Sequence, residues 1–361
     1  MLLGREKLSV VDSVHRVVAL QAQEPPSPYV ALWNRIADFD PVELDTAFTS
    51  HQVVKATLMR VTLHAVAADD YTTFHEGMTN TLRAARLNDR RFTATGLSAA
   101  DADALIPSLL SFADRGRSKD DMEALLAEQL GDDAHPGVWW ALRQVAAVAH
   151  NPTGGPWSYG RIPMYVAGPT TPPRSALRAA IQELIRHYLA GFGPASVRDF
   201  RQFAMLRQSV VGPAFDAMVD TLTVLEGPGG EVLYDITGGV LPPEDVPAPP
   251  RLLGMWDSVL LAHADRTRII SDESRQAVIQ RNGDVLPAVL VDGYVSGVWR
   301  PIGEGIEVHA LRGLGDDAWD ALNEEAASML AFLADREPTI YGRYGRWWNE
   351  LPSGETRVLR G

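Results

Sequence analysis

The chain has 361 residues, 46% hydrophobic and 22% charged, a balance typical of globular proteins with two or three domains. It has no cysteine, which excludes disulfides, thiol catalysis and cysteine-bound metals. The formal charge of −13 argues against a general nucleic-acid binder, although nearly all positive charge is arginine, which suits phosphate contacts or reflects coding bias. No apolar run could span a bilayer and residues 1–7 lack a signal-peptide core, so we expect a cytoplasmic protein with no membrane partner.

The first 97 residues form an N-terminal region that we predict to be helical, with winged-helix character. Helical spacing is expected over residues 1–23 and 28–36, and Asp40-Pro41 is typical of a helix start. β-branched and apolar residues predict a strand over residues 60–66. Asp69-Asp70 is expected to cap a helix over residues 71–87.

One order of elements occurs twice between residues 98 and 238. The spacing predicts three helices followed by a strand, first over residues 100–113, 118–130, 138–150 and 157–166. The second set is predicted over residues 175–189, 197–205, 212–224 and 232–236. Three helices before a hairpin is the order of the winged helix, a helix-turn-helix variant, so we predict tandem winged-helix units at 98–170 and 171–240. A generic helical protein with two hairpins is the alternative.

After a Pro-rich linker over residues 241–250, the pattern changes to strands. Alternating segments over 286–291, 293–299 and 305–310 are separated by tight turns, and Asp292-Gly293 is a typical hairpin turn. A helix is expected over residues 316–335. The fold class is therefore mainly α with β: tandem winged-helix units and a β-rich, barrel-like domain over 251–361.

Two glutamines, Gln21 and Gln23, stand between a helical run and a proline cluster. Side chains two residues apart in extended backbone point the same way, so two neutral amides could grip one small target, such as a water molecule. The alternative is that both glutamines cap or bridge backbone groups at a helix end, because Gln-x-Gln is a weak motif by itself.

Five ordered blocks resemble a known family. They are Val17 to Gln23, Pro28 to Trp33, Thr57 to His64 and Trp256 to Arg266, with Gly293 to Arg300 further on. They resemble the tandem winged-helix alkylpurine DNA glycosylases, which include the azinomycin-resistance glycosylase and its bacterial relatives. Two features depart from the family pattern: Val61 replaces the usual glycine before Thr-Leu-His, and the N-terminus looks short.

The resemblance implies excision of alkylated purines, notably N7-alkylguanine, including the unhooking of interstrand crosslinks in repair or self-resistance. It assigns catalysis to Gln21 and Gln23, which correspond to the Gln–Gln subtype linked to bulky and crosslinked adducts. N7-alkylation makes guanine a cationic leaving group, so the enzyme needs mainly to position a water and stabilise an oxocarbenium-like sugar. Two amides do this without a negative charge beside the phosphates, unlike a carboxylate pair.

Further residues are candidates for DNA contact. Arg60 and His64 belong to the third block, where His64 would contact a phosphate or orient Gln23, or serve as a structural histidine. The C-terminal candidates for DNA contact are His263, Asp265, Arg266 and Arg268. The alternative is that these four residues form an internal salt-bridge network. A possible phosphate track, or equally a solvated face, is formed by Arg83, Arg86, Arg90 and Arg91.

We predict no cofactor and no metal. Phosphate-binding glycine motifs are missing, and the sequence spacing of His135, His150, His187 and His309 matches no metal site. The expected partner is double-stranded DNA carrying alkylated or crosslinked purines, which places the protein at the nucleoid, and we expect a monomer. The alternative function is a non-catalytic winged-helix regulator; the glutamine pair favours the enzyme. A small-molecule hydrolase lacks a recognisable Ser/His/Asp or paired-carboxylate arrangement.

Overall fold

The structure, a computed structural model, describes residues 1–131, 135–169 and 177–360. Contacts divide the chain into two compact units. Unit 1 comprises Met1–Ser13, Leu20–Pro41 and Val240–Gly361, and unit 2 comprises Val14–Ala19 and Val42–Gly239. No helix among the described residues combines the length and apolar composition needed to cross a membrane.

The α-helices in chain order are α1 Val10–Arg16, α2 Ser27–Trp33, α3 Pro41–Thr49, α4 Ala68–Leu87, α5 Arg90–Thr93, α6 Ala99–Phe112, α7 Lys119–Leu130, α8 Pro136–Val145, α9 Leu177–Phe192, α10 Val197–Ala204, α11 Gln208–Asp216, α12 Asp272–Val278 and α13 Asp316–Ala334. Short 3-10 helices cover Met59–Val61, Val219–Thr221, Ser258–Leu260 and Gly342–Glu350.

The strands are β1 Leu20–Gln21, β2 Val53–Thr57, β3 Leu63–Ala67, β4 Arg117–Ser118, β5 Val148–Asn151, β6 Met164–Ala167, β7 Leu222–Glu226, β8 Val232–Ile236, β9 Arg251–Leu252, β10 Ala288–Val291, β11 Tyr294–Ile302, β12 Gly305–Ala310 and β13 Thr356–Leu359.

Three helices of unit 2 begin with the same local signal. A serine hydroxyl accepts from the backbone amide three residues on, and the aspartate there accepts from the serine amide, which together satisfy donors that a helix end leaves unpaired. These capping boxes start α6, α7 and α10. Each of the stretches 98–168 and 177–236 contains the predicted three helices followed by a hairpin, although the short strand β4 between α6 and α7 was not predicted and the strand expected over 157–166 begins only at Met164. The winged-helix interpretation stays a prediction.

Some predicted boundaries in unit 2 were wrong. The helix expected over 138–150 ends at Val145, because residues 148–151 pair as a strand with β6. The segment 212–224 is divided between α11 and β7, and β7 pairs with β8 along its whole length. The predicted start of α9 at residue 175 lies outside the described residues. The N-terminal helix also ends early, at Arg16, two residues before Val18, whose φ of 66° is incompatible with helix continuation.

Antiparallel pairing in unit 2 joins strands in the order β3-β2-β5-β6-β4. The strand expected over 60–66 begins only at Leu63, because residues 59–61 form the tip of the β2–β3 hairpin. Arg60 and Val61 both have positive φ values, 54° and 56°, in this tip. A valine in the left-handed region is strained, and the glycine usual at this position in the resembled family would not be.

Unit 1 contains a five-stranded antiparallel sheet in the order β13-β12-β11-β10-β9. Its first and last strands do not pair with each other, so the predicted barrel-like closure was wrong: α13 packs on β9, β12 and β13 of an open sheet instead. The predicted hairpin turn is confirmed. Asp292 and Gly293, with φ values of 55° and 70°, join β10 to β11.

A buried ion pair fixes the end of α2 in unit 1. The two guanidinium nitrogens of Arg35 donate to the two carboxylate oxygens of Asp257 at 2.8 and 2.7 Å, and their side chains are 4% and 0% exposed. Arg35 also donates to the carbonyl of Ala31. These bonds satisfy most of the donors of Arg35 and acceptors of Asp257, which burial separates from water.

We expect Arg35→Ala to lower the free energy of unfolding by about 3–5 kcal/mol, because it leaves the Asp257 carboxylate buried without its partner. Urea unfolding followed by tryptophan fluorescence measures the change. The control is Glu355→Ala in the same unit, which breaks an exposed pair with Arg357 and should cost less than about 1 kcal/mol. Equal losses in both variants would contradict the prediction.

Candidate functional site

Gln21 and Gln23 contact each other in unit 1. The Nε2 of Gln21 donates to the Oε1 of Gln23 at 2.7 Å. Gln21, in the short strand β1, is 4% exposed, whereas Gln23 is exposed. The pair therefore joins a side chain fixed by burial to one that reaches the surface.

The prolines after the pair explain its position. Pro26 and Pro28 stand at the start of α2, where a missing amide proton costs nothing and the fixed φ favours helix. All residues of α2, from Ser27 to Trp33, are buried. The glutamines thus lie at the end of the short strand β1 and in the bend that follows it, just before a helix that cannot move without exposing its buried residues.

Glu24, the residue after the pair, links it to the C-terminal part of unit 1. Its carboxylate accepts from the Tyr344 hydroxyl at 3.1 Å and forms an ion pair with Arg343, whose side chain is 67% exposed. The Tyr344 ring packs edge-on against Trp256 at 5.5 Å between centroids. Burial and the neighbouring Glu24 carboxylate raise the pKa of Tyr344, so its hydroxyl stays a donor at neutral pH.

The segment 343–348, which was not predicted as a site, alternates arginines with aromatic residues. Arg346 lies over the ring of Trp347 at 4.6 Å, and both contact the Asp284 carboxylate. Arg343 and Arg346 are exposed. The sequence feature that could have indicated this segment is the run Arg-Tyr-Gly-Arg-Trp-Trp. Such a run is typical of protein surfaces that bind nucleic acid, because arginines contact phosphates and aromatic rings stack on bases. We call residues 343–348 the arginine–aromatic segment.

In unit 2, Arg60 and His64 form one hydrogen-bonded group at the tip of the β2–β3 hairpin. One guanidinium nitrogen of Arg60 lies 3.0 Å from His64 Nε2, and another donates to the Phe203 carbonyl at 2.7 Å. His64 is 1% exposed, and burial, followed by the Arg60 charge, holds its pKa well below the usual range. The imidazole is therefore neutral, and Arg60 is the partly exposed, charged member of the pair.

The loop 263–268 in unit 1 carries the other predicted DNA contacts. Asp265 Oδ1 accepts from the backbone amide and hydroxyl of Thr267 at 2.9 and 2.7 Å, which makes a tight turn. Arg266 is half-buried, and burial, with Arg275 nearby, lowers its pKa. Arg268 is exposed and His263 is half-buried.

The predicted arginine track in unit 2 is engaged in local contacts. Arg83 forms an ion pair with Asp103, and Arg86 donates to Gln144 at 2.6 Å. Arg91 pairs with Asp89 and lies 3.7 Å from the centroid of the Trp140 ring. Arg90 is exposed, and the choice between a phosphate track and a solvated face stays open.

Comparison with known proteins gives consistent results. The sequence model of the AlkZ-like DNA glycosylase family matches residues 14–332. The interstrand DNA cross-link repair glycosylase of Streptomyces sahachiroi is 24% identical over 329 residues, which cover 84% of this chain and 85% of that protein. The solved structure of the Streptomyces sahachiroi DNA glycosylase AlkZ has a TM-score of 0.77 and 22% identity, covering 93% of this chain and 94% of that one, so the folds are alike.

Three histidines of unit 2 with lowered pKa values, His64, His75 and His150, predict acid sensitivity. Burial lowers the pKa of His75 to about 4 and that of His150 to about 3, and His64 is lowered as well. The unfolded chain takes up protons below about pH 6.5 while the folded chain does not. Between pH 7 and pH 5 we expect stability to fall, by about 2 kcal/mol for each of His75 and His150.

Urea unfolding at pH 7 and pH 5 measures this loss. His150→Gln should reduce the difference in unfolding free energy between pH 7 and pH 5. His51→Gln, at an exposed position, should leave that difference unchanged. A protein equally stable at both pH values would contradict the neutral state of these histidines.

Proposed function

Because this chain belongs to the AlkZ-like DNA glycosylase family, we propose that it hydrolyses the N-glycosidic bond of N7-alkylated purines in double-stranded DNA. The observation that carries this substrate and mechanism is the 2.7 Å hydrogen bond between Gln21 and Gln23. The Streptomyces sahachiroi relative is named an interstrand cross-link repair glycosylase, which supports crosslinked purines as a second substrate class.

The reaction needs little acid catalysis. An N7-alkylguanine carries a positive charge, and when the C1′–N9 bond breaks its electron pair moves onto the base and neutralises that charge. Water then bonds to C1′ of the oxocarbenium-like sugar and releases a proton to solvent. The amides of Gln21 and Gln23 hold that water by donating and accepting hydrogen bonds, so catalysis comes from position rather than proton transfer.

Glu24 is a positioning residue in this proposal. Its carboxylate stands next to Gln23 in sequence, and an unpaired negative charge there would repel the DNA backbone. The ion pair with Arg343 and the bond from Tyr344 balance that charge and fix the backbone that carries Gln23.

We propose DNA contacts for each unit separately. In unit 1 we assign phosphate contacts to Arg268 and to Arg343 and Arg346 of the arginine–aromatic segment, with His263, Asp265 and Arg266 shaping the loop beside Arg268. In unit 2 we assign a contact to Arg60, with His64 orienting it. The elements α6–α8 with β5–β6, and α9–α11 with β7–β8, are proposed as tandem winged-helix units. We propose that the protein acts as a monomer at the nucleoid.

The deciding experiment incubates the protein with duplex DNA carrying one N7-methylguanine and then cleaves abasic sites with alkali. Strand cleavage at the modified position supports the proposal. A protein that binds this duplex without releasing the base would favour the alternative, a winged-helix regulator.

We expect Gln21→Ala and Gln23→Ala to reduce excision by roughly 10- to 1000-fold, the range for lost positioning contacts. Duplex affinity should change little, because phosphate contacts supply most of it. Because amides do not titrate, the parent rate should vary little between about pH 6 and 9, unlike the bell-shaped profile of a carboxylate pair. The control is Gln129→Ala on the exposed face of α7, which should excise at the parent rate.

Arg346→Ala should weaken binding of all duplexes and reduce the slope of log affinity against log salt by about 1, since one phosphate contact is lost. Fluorescence anisotropy at several salt concentrations gives the slope. Arg357→Ala, another exposed arginine of unit 1, is the matched control and should leave the slope unchanged. If both variants keep the parent slope, the arginine–aromatic segment does not touch the DNA backbone.

A further inference from the structure

Three ligand-type side chains from three helices meet in unit 2, away from any role assigned above. They are His15 in the last turn of α1, Asp70 in the first turn of α4 and His187 in α9. His15 Nδ1 lies 2.8 Å from Asp70 Oδ2, and His187 Nε2 lies 3.6 Å from Asp70 Oδ1. One ligand atom from each residue lies within 4.8 Å of the other two.

A fourth candidate ligand stands on the same face of α9. Glu183 is one helical turn before His187, and its Oε1 lies 3.5 Å from His187 Nε2. Zinc binds imidazole nitrogen and carboxylate oxygen at about 2.0–2.2 Å, which places tetrahedral ligand atoms roughly 3.3–3.6 Å apart. Two of the separations given above already fall in this range.

We propose that His15, Asp70 and His187, with Glu183 as the fourth ligand, bind a divalent transition-metal ion of the zinc class. Neutral imidazoles combined with carboxylates suit zinc better than magnesium or calcium, which prefer sets of oxygen ligands. This proposal differs from the prediction made from sequence spacing, which gave His187 no metal site. The proposed partners of His187 are distant in sequence and adjacent in the fold.

Burial and access also fit an ion. The Asp70 side chain is 7% exposed and that of His187 13%, so a cation would compensate a carboxylate that is largely removed from water. The His15 side chain is 54% exposed, which leaves a route for the ion to enter. Phe74 packs edge-on against the His187 ring at 5.3 Å and helps to fix its orientation.

The ion would have a structural role that is separate from the proposed glycosylase chemistry. It would clamp the C-terminal end of α1 to α4 and α9, six residues before Gln21 in the chain. A site of this kind stabilises the folded protein by an amount that grows with the logarithm of the ion concentration above its dissociation constant.

Isothermal titration of the full-length, chelator-treated protein with Zn²⁺ tests the proposal without DNA. We expect one ion per chain, a rise in melting temperature with Zn²⁺, and weaker binding on acidification, because protons compete with the ion for the ligand atoms. His15→Gln and His187→Gln should each weaken Zn²⁺ binding by at least about tenfold. His51→Gln, on an exposed histidine outside the cluster, should bind like the parent.

His15→Gln changes an exposed side chain, so it keeps the test decisive if His187→Gln fails to fold. The proposal is overturned if the parent binds no Zn²⁺, or if His15→Gln binds it as tightly as the parent. Glycosylase activity is measured in a separate assay, so loss of the metal proposal and loss of the substrate proposal are distinguishable.

Discussion

The buried Arg35–Asp257 pair is the interaction on which the candidate site of unit 1 depends. It fastens the residues that follow α2 to the loop after β9, and these belong to two segments more than 200 residues apart in the chain. Neighbouring Asn34 strengthens the same junction by donating to the Leu252 carbonyl at 2.9 Å. Because α2 is buried along its whole length, this attachment also determines where the preceding glutamines stand.

The choice of two amides instead of two carboxylates is consistent with the substrate we propose. A carboxylate pair supplies acid and base catalysis but places negative charge beside a phosphate backbone. A cationic base is already a good leaving group, so positioning a water is enough. The one carboxylate next to the pair, Glu24, is held by Arg343 and Tyr344, which keeps its charge balanced.

Net charge and local charge have different consequences in this protein. The total of −13 argues against general affinity for nucleic acid, yet Arg343 and Arg346 are exposed next to aromatic rings in one short segment. Arg60 in unit 2 is held by Phe203 and by a neutral His64, an arrangement that leaves the guanidinium as the charged group at the hairpin tip. Local placement of arginine, more than the sum of charges, governs contact with phosphate.

The sequence by itself determined the local features: the Asp292-Gly293 hairpin, the three helices before a hairpin in each of the stretches 98–168 and 177–236, and the glutamine pair. These depend on residues close in the chain, whose spacing is visible in the printed letters. Only the tertiary structure decided that the C-terminal sheet stays open, that His64 is buried, that Glu24 meets Arg343, and that His15, Asp70 and His187 converge. Those outcomes depend on packing between segments far apart in sequence, and no spacing rule encodes which distant side chains burial brings together.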